Sequence, residues 1–161
     1  MSPSLNPCQM ACHHMVQACD ASAVSPVKGG PAREPCICTL YTIGHGREPT
    51  VLAEALTLVE TTGERWYEPE LYRLKGALLL QQSSSNQTEA ESCFHHAISI
   101  AQSQQAKSWE LRAATSLTRL WQRQGKCQEA YDLLAPVYGW FTEGFDTADL
   151  QEAKALLEAL A

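Results

Sequence analysis

One stretch of this chain occurs twice, about 40 residues apart, and that spacing restricts the fold more than any other feature. Residues 88–98 read TEAESCFHHAI and residues 128–138 read QEAYDLLAPVY. In both, Glu-Ala opens the stretch and a bulky apolar residue follows four places after the Ala, at Phe94 and Leu134. A small or branched residue comes three places later, at Ala97 and Val137. A weaker copy lies upstream, where Glu54-Ala55 is followed by Val59. A self-similar period of 20–50 residues is the mark of stacked supersecondary units, each burying its apolar face on the next.

The chain divides into two regions of unlike composition. Residues 1–49 hold six of the eight prolines and five of the seven cysteines. Within them, 22–35 (SAVSPVKGGPAREP) has no apolar period and reads as linker. The run 36–44 (CICTLYTIG) is rich in branched and aromatic residues, as a short strand would be. The expectation for 1–49 is a disordered or loosely packed leader. From residue 50 the pattern becomes helical. Thr50 is placed to cap a helix over 51–61 that ends at Gly63. Pro69, flanked by Glu68 and Glu70, suits a helix start. The polar loop 83–87 should end that helix, and Thr88 with Glu91 forms a capping box for the next, over 88–103. Ser108 can cap a helix to Gln124, closed by Gly125. A helix over 127–141 contains Pro136 and should kink there. A last helix covers 147–160. Residues 50–161 thus read as six helices with short connections, an all-α domain of antiparallel pairs.

The repeated residues resemble the tetratricopeptide repeat, whose paired helices carry a W-x2-L-G-x2-Y…A-x3-F type of pattern. Tyr72, Gly76 and Leu79 match the first helix of one repeat; Ala90, Phe94 and Ala97 match the second. Ala114, Leu117 and Trp121, then Ala130, Leu134 and Val137, match the next. Small residues sit where helix axes approach and bulky ones fill the adjoining grooves. The segments 64–76, 104–121 and 133–157 are similar to the C-terminal repeat region of large bacterial signalling ATPases, the class III adenylate/guanylate cyclase or MalT-like kind. The resemblance covers residues 50–161. It implies an α-solenoid of about two and a half repeats with a capping helix. It also implies a protein-binding role. No G-x-x-x-x-G-K-[ST] loop is present, so no nucleotide site carries over. The leader does not share the resemblance, and the helix expected to pair with 51–61 is missing or replaced. The expectation is a repeat tail of such a regulator joined to an unrelated leader; a non-functional gene fragment is the alternative origin.

Charge and cysteine content narrow the function. Residues 1–49 balance at three basic and three acidic side chains, so the net −6 comes from the remainder. An acidic body opposes non-specific nucleic-acid binding. No apolar run is long enough to span a membrane and no secretory signal is visible, which places the chain in the cytoplasm. With an odd cysteine count, a disulfide framework is not expected.

Arg112, Arg119 and Arg123 fall on one helical face with Thr115 and Gln122, and Arg73 on the preceding first helix would join that wall. A basic groove in an acidic protein suits an acidic protein or peptide partner. The competing reading is a solvated face neutralised by Glu110 and its neighbours. The packing set is Tyr72, Gly76, Ala90, Phe94, Ala97, Leu117, Trp121, Ala130 and Leu134. Trp66 and Trp109, near helix starts, could be half-exposed. Adjacent His95 and His96 point about 100° apart, so one half-buried and one exposed ring is expected rather than a metal pair. Cys8, Cys12, His13, His14, Cys19, Cys36 and Cys38 keep a zinc-binding leader as an alternative function. No catalytic constellation is visible, and no cofactor, metal or enzymatic activity is assigned. Apolar edges at Leu52, Leu56 and Val59 suggest self-association.

Overall fold

In a computed structural model of the chain, which describes residues 49–161, six α-helices follow one another and no strand occurs among the described residues. They are α1 (Pro49–Thr62), α2 (Glu68–Gln82), α3 (Gln87–Ser103), α4 (Lys107–Arg123), α5 (Cys127–Gly139) and α6 (Ala148–Leu160). Each packs on the next in order; α2 also packs on α4, and α4 on α6. The leader's Cys/His cluster and the strand-like run 36–44 lie outside the described residues.

Several helix starts differ from the sequence reading, and each difference has a local cause. Helix α1 begins at Pro49, so Thr50 lies inside it. The Thr88/Glu91 capping box does not form: Asn86 precedes the helix with no side-chain cap, and the Glu91 carboxylate instead accepts the Trp121 indole N–H at 2.8 Å. The polar loop before it is held by a single 3-10 turn, Ser84–Asn86, in which Ser83 Oγ accepts from the Ser85 N–H. Ser108 does not cap α4, which starts one residue earlier. There the chain leaves α3 through Gln105 at φ +55°, with the Ala106 N–H bonding Ala101 O at 2.9 Å and the Gln105 N–H bonding Gln102 O at 3.0 Å. The same pair of bonds closes α4 around Gly125 at φ +78°, from Lys126 to Trp121 O and from Gly125 to Gln122 O. This is the paired-bond closure that a left-handed residue makes possible. Helix α5 runs through Pro136 and ends three residues later, at Gly139.

The core runs along α3, α4 and α5. Phe94, Leu111, Leu117 and Leu134 are its largest fully buried apolar side chains, with Ala90, Ala97, Ala114, Ala130 and Ala153 fully buried among them. Leu150 of α6 completes it. Val59, expected on an exposed edge, is buried, and Leu52 and Leu56 are half-buried. No described helix is long and apolar enough to cross a membrane.

Candidate functional site

Three first turns set out the site. Helices α2, α4 and α6 each carry an acid-Leu pair there: Glu70-Leu71, Glu110-Leu111 and Asp149-Leu150. The leucine is buried in all three, which fixes the rotation of each helix about its axis. An acid in the first turn also meets the positive end of the helix dipole.

Glu70 is 1% exposed and lies at the centre of a charge cluster. Arg73 clamps it with two bonds, Nε to Oε2 at 2.8 Å and Nη2 to Oε1 at 2.7 Å. Arg112 of α4 adds an ion pair, Nη2 to Oε1 at 3.0 Å. A buried carboxylate needs this many charge-assisted donors to offset its lost hydration. Arg112 also lies over the Trp109 ring, 5.4 Å from its centroid, and faces Asp149 Oδ1 at 3.7 Å. Trp109, expected half-exposed, is buried against Tyr67, the two rings edge to face.

Two turns along α4 the chemistry changes. Arg119 pairs with Glu152 of α6, and both side chains stay open to water, at 51% and 37% exposure. Burial, then the like charges of Arg123 and Arg73, lower the Arg119 pKa from its ordinary value. The guanidinium remains charged at neutral pH. Arg123 is exposed and has no ion pair among the described residues. Between the two ends lies a small cleft of about 70 Å³, lined by Arg73, Arg112, Thr115, Ser116, Arg119, Asp149 and Glu152. That volume holds a few waters or one small anionic group.

The cleft thus brings together Arg73, Arg112, Thr115 and Arg119 of the wall expected from sequence, while Gln122 and Arg123 lie beyond it toward the end of α4. Thr115 offers little to a ligand, because its hydroxyl donates to Leu111 O at 2.8 Å. Glu110 does not neutralise the arginines: it is buried and bound by Lys107 Nζ at 2.7 Å and Gln102 Nε2 at 3.0 Å. Glu70, Asp149 and Glu152 perform that neutralisation, and sequence reasoning missed all three. The i,i+3 spacing of Glu70 and Arg73 was the one available signal.

The packing residues fall as follows. Ala90, Ala97, Leu117, Ala130 and Leu134 are wholly buried, as is Phe94, whose ring lies against Gly76. Tyr72 and Trp121 are partly buried against the core. His95 and His96 are both exposed; His95 stands beside the Trp121 ring and His96 against Tyr72. Burial raises the Cys93 thiol pKa, so that thiol is a poor nucleophile. Among the described residues no three His, Cys, Asp or Glu side chains are grouped to hold a metal. No protein-family model, no curated protein and no solved structure matches the chain.

Proposed function

We propose that residues 50–161 are a protein-binding module: an α-solenoid of about two and a half tetratricopeptide-like repeats, akin to the tail of a bacterial ATPase/cyclase-type regulator. Two kinds of observation support the repeat reading. Positions 40 residues apart (Ala90 and Ala130, Phe94 and Leu134, Ala97 and Val137) are all buried. Alternate helices also touch, α2 with α4 and α4 with α6, as in a ribbon whose first helices form one wall. On this reading the protein binds rather than catalyses, in the cytoplasm, and its partner is an acidic protein or peptide.

The observation that carries the binding role is Arg123, an exposed arginine without an internal acid, one turn beyond Arg119 on α4. Glu70 leaves Arg73 and Arg112 no such freedom. The test is affinity for an acidic peptide, measured on the full chain and on Arg119→Ala and Arg123→Ala. Both variants should bind roughly tenfold more weakly, the worth of one charge-assisted contact. Unchanged affinity in both removes the proposal.

A further inference from the structure

The acid-arginine contacts along α4 differ in how easily they exchange. Glu70 is sealed from water and held by two short hydrogen bonds and a close ion pair, so a ligand carboxylate does not readily replace it. Asp149 Oδ1 stands 3.7 Å from Arg112 Nε, and the Asp149 side chain is about half exposed. Glu152 meets Arg119 through Oε1, which is shut off from water, but the two side chains as a whole are 37% and 51% exposed. An exposed pair of this kind contributes little to stability and opens readily. Next to it, the exposed Arg123 adds a second positive charge one turn further along α4.

We propose that Glu152 occupies, within the molecule, the position that a partner's carboxylate takes, so that an acidic segment binds by displacing Glu152 from Arg119 and reaching on to Arg123. The inference rests on the binding role proposed above and adds the kind of segment and its built-in competitor. Arg119 and Arg123 are separated by four residues, a rise of about 6 Å along α4. Carboxylates two residues apart on an extended chain are spaced by roughly 6.5 Å, and those four apart on a helix by about 6 Å. The fitting partner therefore presents two acids at one of these spacings. A lone carboxylate would gain one arginine only. Arg119 and Glu152 both line the small cleft, so the carboxylate that meets Arg119 there stands at its wall.

The test titrates the full chain with a capped octapeptide of alternating glutamate and serine, and with its glutamine counterpart. Glu152→Gln should bind the acidic peptide about two- to fivefold more tightly than the unaltered chain, the range of one exposed ion pair. That gain should vanish when Arg119→Ala is added. Glu158→Gln, the same charge change elsewhere on α6, should leave affinity as it was. If Glu152→Gln changes nothing while Arg123→Ala weakens binding, internal competition is overturned and the binding role survives. A gain that persists without Arg119, or that Glu158→Gln reproduces, likewise overturns competition, since bulk charge then explains it. If neither the unaltered chain nor Glu152→Gln prefers the acidic peptide to the glutamine one, the binding role falls, and the competition with it.

Discussion

The two central helix pairs, α2–α3 and α4–α5, solve the same packing problem with different residues. In the first, Gly76 lets the Phe94 ring lie directly on the α2 backbone. A methyl group at residue 76 would stand 2.7 Å from the ring. In the second, aligning Tyr72 with Ala114 and Leu79 with Trp121 puts Thr118 where Gly76 stands. Thr118 is wholly buried, and its hydroxyl donates to Ala130 O on α5 at 3.3 Å. Leu134, forty residues after Phe94 in the sequence, is smaller and also wholly buried. A close approach of helices can thus be reached by removing a side chain and filling the space with a ring, or by keeping a small polar side chain and bonding it across. The first solution depends on shape and the second divides the work between shape and a hydrogen bond.

The largest effect should come from emptying the first pair. Phe94→Ala is expected to cost about 3–5 kcal/mol, read from urea unfolding. Leu134→Ala should cost about 2–5 kcal/mol, toward the lower end if α5 can relax around Pro136. Equal losses would mean that the two pairs carry the core alike and that the ring has no special part. Glu70→Gln should be nearly as severe, about 3–5 kcal/mol. It leaves Arg73, at 17% exposure, without a carboxylate, and Arg112, at 21%, with Asp149 alone. The matching change at Glu152, in a more exposed pair, should cost only about 0.4–1 kcal/mol.

A finer test exchanges the two solutions. Gly76→Ala gains about 1 kcal/mol of helix propensity and loses about 1–3 kcal/mol by overpacking against a ring that cannot retreat. A net destabilisation of about 1 kcal/mol is expected. Adding Phe94→Leu, which copies Leu134, should remove the clash, so that the double variant is less impaired than the sum of its parts. Strict additivity would show that residue 76 and the ring do not meet in solution.

How much of this was legible in the sequence depends on which force set each feature. The small and bulky alternation at Ala90, Phe94, Ala130 and Leu134 was readable, because close helix packing leaves few choices at those positions. Gly125 was readable for a backbone reason, since glycine is the cheapest residue in the left-handed region. Helix starts were less so. Thr50, Thr88 and Ser108 have the chemistry of caps, yet the turns before them and the long reach of Trp121 to Glu91 decided otherwise. The arginine face was visible from spacing alone. Its acids were not, because Glu70 and Glu152 approach Arg112 and Arg119 only through the packing of separate helices.

An effect as small as that at Glu152 is expected at the two turns that close α3 and α4. Both use the same pair of backbone bonds, but one places Gly125 and the other Gln105 in the left-handed region. A side chain there crowds its own carbonyl, at a cost of roughly 1–2 kcal/mol relative to glycine. Glycine also has more freedom to lose on folding, which offsets part of that gain. Gln105→Gly should therefore stabilise the domain by about 0.5–1 kcal/mol, raising the thermal midpoint by a few degrees. Gly125→Gln should do the reverse by a similar amount, because open space around Gly125 leaves only the backbone term. If Gln105→Gly instead destabilises, the backbone turn is not the controlling feature. The neighbouring bond from Gln104 Nε2 to Arg65 O at 2.6 Å, which joins this turn to the start of α2, would then be the one to test next.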